Sequence, residues 1–298
     1  MKIFLTGGTG FIGKALSKNL TNQGHHVTIL SRKNIKNSNQ KIDFITDLDD
    51  KDFNYDIVIN LCGEPISQRW TSAKKEQIYH SRIDLTNKIS EKIINSKSAP
   101  KLFISASAIG YYGTSLDKIF NENSQVKAQN LFSQKICKDW ESSARKAEGK
   151  TKLSIIRLAV VLGKGGGIIQ KLSAPFKLGL GGKIGAGSQP FSWIALEDVI
   201  GAINHIIKNN LSGTFNLSAP AASNNLKFSK AFAKSLKRPS FFAMPAFIMR
   251  LIYGEMADEL LLSGQKVYPK NLLESGFQFK FNELKEALDA AIKNHLHK

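Results

Sequence analysis

Seven residues near the start of the chain have the types and spacing to hold a phosphorylated ligand: Gly7-Gly8-Thr9-Gly10-Phe11-Ile12-Gly13. Before them, Met1 to Thr6 is a short apolar run that reads as a strand; after them, Lys14 to Leu20 reads as a helix. Glycines let a backbone turn tightly and come close to a phosphate with no Cβ in the way. A helix N-terminus adds free N–H groups and the positive end of its dipole. Gly8-x-Gly10-x-x-Gly13 is the general dinucleotide spacing. Phe11, Ile12, Ala15, Leu16 and Leu20 make one apolar stripe, so the helix has a face to lay on a sheet. Gly7, Thr9, Gly10, Phe11, Ile12 and Gly13 are therefore expected against a bound pyrophosphate.

The next informative residues follow the second strand, Val27 to Leu30. Nucleotide sites selective for NAD place a carboxylate there to hold the ribose 2′-hydroxyl. This chain has Ser31, Arg32 and Lys33. A carboxylate would repel a 2′-phosphate, whereas Arg32 can hold one bidentately. The expected cofactor is NADP, with Ser31 and Arg32 in its site.

The elements that must position these residues alternate regularly. Strands are expected at residues 42–46, running to Asp47 and Leu48, and at 56–60, running into Leu61, Cys62, Gly63 and Glu64. Further strands fall at 101–105, 153–158 and 213–217, with helices over 72–98 and 129–147 and from Leu196 onward. Such alternation implies an α/β fold, a Rossmann-type doubly wound parallel sheet with helices on both faces. The expected organisation is a nucleotide-binding domain over 1–220, part of 160–195 contributing to a substrate cleft, and a smaller, mostly helical domain over 221–298. Ligands of such sheets sit at the carboxyl ends of the strands. That places Asp47, Leu48, Leu61, Cys62, Gly63, Glu64 and Ser105 in the walls of the cofactor cleft. The hydroxyls of Ser107, Tyr111 and Tyr112, just past the fifth strand, are candidates to meet a substrate. The glycines of 163–167 and 179–187 read as mobile loops over it.

Composition narrows the partners. The 298 residues carry 42 Lys and Arg against 24 Asp and Glu, a net charge of +18. The lysines are dispersed, with no aromatic-interleaved basic block, so a small anionic ligand is expected rather than nucleic acid. No apolar run reaches the ~18 residues of a transmembrane helix, and no membrane partner is expected. The first strand starts at once, which leaves no room for a signal peptide. Cys62 and Cys137 are the only cysteines and lack metal spacing, so no metal and a reducing cytoplasm are expected.

Gly7-x-x-Gly10-x-x-Gly13, Ser105-x-Ser107 with Tyr112-Gly113, the stretch from Arg157 to Gly163, and Gly213-x-Phe215-Asn216 together resemble the extended short-chain dehydrogenase/reductases, which include nucleotide-sugar epimerases. Residues 60–64 with Arg69-Trp70, 107–113, 137–141 and 175–182 resemble one atypical branch, the epimerase-family proteins of the SDR39U1 type. The tail from Pro245 to Leu288 is similar to that branch's C-terminal domain of unknown function. The resemblance implies an NADP-binding oxidoreductase or epimerase acting on a nucleotide-sugar-like or other anionic hydroxyl or keto compound. It also implies a monomer or a homodimer paired through two helices beside the site. The alternative is a non-catalytic NADP(H)-binding sensor.

The resemblance exposes a departure. Ordinary members carry a Tyr-x-x-x-Lys pair on the helix after the serine, both on one helical face. Aligning Glu141 with the family's glutamate puts Ser133 in the tyrosine place and Cys137 in the lysine place. Arg82 stands where an asparagine is usual, and is counted with both the cofactor and the catalytic groups. Two roles are open for Cys137: an acid, base or nucleophile with its pKa lowered by Arg82, or a small buried thiol filling the vacated space. Tyr111 or Tyr112 would replace the missing tyrosine from the strand side, with Ser107 bonding a substrate oxygen.

Overall fold

Seven apolar segments pair into one sheet: β1 (Lys2–Thr6), β2 (His26–Leu30), β3 (Ile42–Ile45), β4 (Ile57–Asn60), β5 (Leu102–Ala108), β6 (Lys152–Leu158) and β7 (Gly213–Leu217). The structure, a computed structural model, describes residues 1–33, 35, 39–48 and 53–293. The strand order is β7-β6-β5-β4-β1-β2-β3, and every neighbouring pair is parallel. Strand order reverses between β1 and β4, so the switch point, where such sheets bind ligands, lies at their carboxyl ends.

Each strand reads as a continuous apolar run because both faces are covered. The side chains still alternate. Ile3, Leu5, Ile57, Ile59, Leu102 and Ile104 fall in one cluster, while Phe4, Val58, Phe103 and Ile155 fall in another. Helices α1 (Phe11–Asn22), α2 (Ser72–Asn95), α3 (Phe132–Arg145), α4 (Gly167–Lys177) and α5 (Leu196–Lys208) follow in chain order. Leu16 and Leu20 of α1 and Val199 and Ile203 of α5 close the first face. Ile89 and Ile93 of α2 and Ala144 of α3 close the second. Each fully buried Leu or Ile of this kind stabilises the fold by roughly 1.5–3 kcal/mol. Thr71 caps α2 by accepting the Lys74 N–H.

Two segments differ from the sequence reading. β5 runs to Ala108, so Ser105 and Ser107 lie inside the strand, held by ladders to β4 and β6. The glycine turn at 163–167 opens α4 rather than a loop: a Cβ at Gly166 would fall 2.3 Å from the Phe11 ring, so the glycine is there for packing. Asp198, in the first turn of α5, is buried and accepts the Lys280 and Phe281 N–H groups at 2.7 and 3.1 Å. Burial pushes its carboxyl up, against those hydrogen bonds.

The C-terminal part contains α6 (Asn225–Ser235), α7 (Ala246–Tyr253), α8 (Lys270–Glu274) and α9 (Leu284–Lys293). It also carries short strands at 242–244 and 266–267 that pair with 182–184 and 119–120. Phe228 and Phe232 of α6 and Leu288 of α9 pack with Leu162, Ile169, Phe176 and Trp193. Residues 294–298 of the expected second domain lie outside the described residues.

Candidate functional site

The turn after β1 is built as the glycines require. Gly7 has φ +70°, and its carbonyl accepts the Gly10 N–H at 2.9 Å. A Cβ at Gly13 would fall 2.1 Å from that same carbonyl oxygen, and one at Gly7 would fall 2.7 Å from the Leu61 oxygen. Helix, turn and the chain leaving β4 are thus in direct backbone contact. Gly10, at the N-cap of α1, provides no side-chain cap, and the first turn holds no acidic residue. The positive end of α1 is left free for an anion. Thr9 is exposed beside it, while Phe11 and Ile12 are half-buried.

Of the other cleft residues, Leu61 and Cys62 lie against this turn. Arg32 and Lys33 are exposed after β2, and Ser31 is buried with its Oγ accepting the Lys33 N–H at 3.2 Å. The charge of Arg32 reaches Cys62, half-buried after β4: burial raises that thiol's pKa most, and Arg32 then Arg82 pull it back. Asp47 is exposed after β3, but Leu48 is buried with Phe53 and Val58 in the core of the second face. The Glu64 N–H donates to Ser81 Oγ at 2.9 Å. Arg82 donates from Nη2 to the Glu64 carbonyl at 2.9 Å and from Nη1 to the Ile78 carbonyl at 3.0 Å. Its guanidinium lies 5.2 Å from the Trp140 ring and fills the space beside Gly63, where a Cβ would fall 2.7 Å from it. Burial holds the Arg82 pKa below its ordinary value. Ser105 Oγ is buried and has no hydrogen-bond partner among the described residues.

The candidate catalytic groups divide. Ser107 Oγ donates to Glu141 Oε1 at 2.8 Å. Tyr112 is buried; its hydroxyl donates to Asn216 Oδ1 at 2.8 Å and accepts from Arg157 Nη1 at 2.9 Å. Burial pushes its pKa up to about 12, with Arg157 and Asn216 pulling the other way. Arg157, next to last in β6, also donates from Nε and Nη2 to the two oxygens of Glu141, each at 2.8 Å. Its guanidinium stacks 3.4 Å from the centre of the Tyr111 ring. The Tyr111 hydroxyl makes no hydrogen bond to a described residue, and the side chain is half-buried.

Cys137 is buried against Gly110. Burial, then the Glu141 charge, push its pKa up to about 11; Arg82 opposes this but does not prevail. The condition for thiolate chemistry is absent, and the thiol is neutral packing. Iodoacetamide at mildly alkaline pH should leave Cys137 of the folded protein unlabelled; rapid labelling there, read by peptide mass, would refute this. Because burial favours the protonated thiol in the folded state, stability should also fall as pH rises through the ordinary thiol range toward about 11.

Sequence reasoning missed the partners of these groups. Ser133, in the tyrosine place, donates its Oγ to Glu259 Oε2 at 2.6 Å, and Glu259 also accepts the Phe132 and Ser133 N–H groups, each at 2.9 Å. The buried carboxylate thus caps α3, which has no cap of its own. The readable signals were charges in apolar settings: Arg157 inside a strand and Glu141 on the inner face of a helix.

A seven-stranded parallel sheet with an uncapped helix at its switch point defines a Rossmann-type protein. Within that class, the chain belongs to the NAD dependent epimerase/dehydratase family, which residues 3–218 match. Residues 244–291 match a domain of unknown function, DUF1731. The mouse (Mus musculus) epimerase family protein SDR39U1 is 37% identical over 97% of this chain and 98% of its own length. The Bacillus subtilis epimerase family protein YfhF is 36% identical, with 98% of both covered. A crystal structure of human SDR39U1 isoform 2 with NADPH superposes with a TM-score of 0.91 at 33% identity, covering 99% of this chain and 100% of that one.

Proposed function

We propose that the chain binds NADP and works as an oxidoreductase or epimerase on a small anionic hydroxyl or keto compound, nucleotide-linked sugars being the leading class. The observation that carries this reading is Arg32: a cation stands after β2 where a carboxylate would select NAD, and its charge reaches the cleft wall at Cys62. The NADPH held by the human relative supports the same choice. Gly7, Thr9, Gly10, Phe11, Ile12 and Gly13 would hold the pyrophosphate against the free end of α1. Ser31 and Arg32 would take the 2′-phosphate, and Asp47 with the backbone of Leu48 the adenosine side. Leu61, Cys62, Gly63 and Glu64, backed by Arg82, would form the opposite wall, with the unpartnered Ser105 hydroxyl free to bond the ligand. Bound NADP supplies hydride exchange at its nicotinamide ring. The division at 1–220 and 221–298, with part of 160–195 at the cleft, belongs to this reading; the separate matches to 3–218 and 244–291 support it.

Calorimetry with NADPH, NADP⁺ and NADH tests the cofactor. NADPH should bind more tightly than NADH. Arg32→Ser should weaken NADPH by about 10- to 100-fold, the worth of a charge-assisted phosphate contact, and leave NADH unchanged. No heat with NADPH or NADP⁺ on folded protein overturns the reading.

Among the catalytic candidates, Tyr111 fits proton transfer best, because its hydroxyl is uncommitted while Ser107 and Tyr112 are engaged internally. Given a turned-over keto or hydroxyl substrate, Tyr111→Phe should lower the rate of nicotinamide absorbance change by about a hundredfold without changing NADPH affinity. An unchanged rate removes Tyr111. The internal engagement of Ser107 and Tyr112 and the neutral Cys137 favour a second reading, an NADP(H)-binding sensor without catalysis. NADPH binding with no turnover across sugar nucleotides and small ketones selects it.

A further inference from the structure

One face of the molecule carries a large apolar patch that no described residue covers. The parallel pair 182–184 and 242–244 sets Gly182 opposite Phe242 and Lys183 opposite Ala243, with exposed Leu180 and Phe241 just before the two strands. Helix α7 follows at once and shows Phe247 and Leu251, one turn apart, to solvent. Phe241 is 90% exposed, Leu178 74% and Leu251 73%. Met249 is the only buried residue of α7, so this mostly apolar helix turns its apolar side outward. A surface helix ordinarily does the reverse, and a contiguous exposed patch of large apolar side chains marks a docking surface.

The charge around the patch says what it docks on. The segments that carry the exposed apolar residues, 177–184 and 237–254, hold five Lys and Arg and no acid, with Arg250 paired to Asp258. Lys177 directly precedes Leu178, and Lys237 and Arg238 lie just before Phe241. All three are exposed and form no ion pair with a described residue. Exposed Phe and Leu side chains next in sequence to unpaired cations match an anionic lipid surface, where apolar groups enter the acyl boundary and cations meet the headgroups. Nucleic acid would use the cations but give the leucines nothing. A second copy in two-fold contact would set cation clusters against each other.

We propose that this face seats the protein peripherally on anionic lipid bilayers. No described helix is long and apolar enough to cross a membrane, so the protein would lie on the surface. The sequence expectation of no membrane partner rested on the missing spanning run, which addresses only crossing.

Co-sedimentation with vesicles tests this. The full chain should sediment with phosphatidylglycerol-containing vesicles and not with pure phosphatidylcholine. The variant Phe241→Ser/Phe247→Ser/Leu251→Ser, altered only at exposed positions, should lose about tenfold or more of that partitioning with an unchanged melting curve and NADPH heat. Lys237→Gln should lose about fivefold. Equal sedimentation of the triple variant and the parent overturns the proposal, as does binding to duplex DNA without binding to vesicles. A parent that is dimeric by light scattering, becomes monomeric in the triple variant and never binds vesicles overturns it in favour of a second copy.

Discussion

Arg157→Met should lower the unfolding free energy by about 3–5 kcal/mol, read from the denaturant midpoint at constant slope. The size follows from what the substitution strands. Arg157 is 3% exposed near the carboxyl end of β6 and neutralises Glu141 through two parallel hydrogen bonds of 2.8 Å. Burial disfavours the guanidinium charge, but hydrogen bonds and attraction from Glu141 outweigh it and raise its pKa. With Arg157 gone, Glu141 keeps the Ser107 hydroxyl and an Arg145 nitrogen at 3.9 Å, too little for a carboxylate 3% exposed. Tyr112 loses a partner as well and keeps Asn216. The double variant Glu141→Gln/Arg157→Met should cost clearly less than the two single variants added together, because no unpaired charge remains. Full additivity, or a loss under about 1 kcal/mol for Arg157→Met alone, sinks the account.

The polar cluster also shows where the sequence stops being readable. The sheet was legible because strands covered on both faces must be continuous apolar runs, and the turn between β1 and α1 because its glycines sit between a strand and a helix. Local patterns carry that information. The end of β5 was not legible: Ala106, Ser107 and Ala108 look like loop residues, and only the ladder to β6, with Ser107 opposite Arg157, keeps them extended. Helix α4 was hidden by Gly167 at its start and Pro175 inside it, both poor helix residues, with tertiary packing of Ile169 and Phe176 overriding them. The site partners are farther still from local reading. Glu259 reaches Ser133 across 126 residues, and Asn216 reaches Tyr112 across 104. No spacing rule links such positions.

Those long-range partners change how the departure from the Tyr-x-x-x-Lys pattern reads. In this chain the tyrosine place holds a serine whose hydroxyl belongs to a carboxylate from the C-terminal part. The lysine place holds a neutral thiol packed on Gly110. Glu259 brings residues from the 244–291 match into contact with α3, and Lys75 of α2 pairs with Glu255 from the same stretch. The hydroxyl in the tyrosine place is thus engaged by Glu259, within the 244–291 match, while the thiol in the lysine place packs on Gly110. The glycine turn between β1 and α1 is built from its own backbone and from Leu61, and uses neither Ser133 nor Cys137.

The cradle therefore gives the sharpest expected loss of ligand. Gly13→Ala should abolish measurable NADPH heat while leaving a cooperative, folded protein. A Cβ at this position falls 2.1 Å from the Gly7 carbonyl oxygen and 2.6 Å from the Gly8 Cα, both backbone atoms that no rotamer change can move aside. The turn must open or α1 must lift from β1, and either motion displaces the N–H groups that would face the pyrophosphate. Overpacking of this kind costs about 1–3 kcal/mol, which a domain with this much buried apolar surface survives. Gly24→Ala is the control. Its Cβ meets nothing within 4 Å, and its only penalty is a φ of +87°, worth about 1–2 kcal/mol. Gly24→Ala should therefore destabilise to a similar degree yet bind NADPH as the parent does. If both variants lose binding in proportion to their stability, the loss is global and the cradle assignment fails; if Gly13→Ala binds normally, the turn does not hold the phosphates.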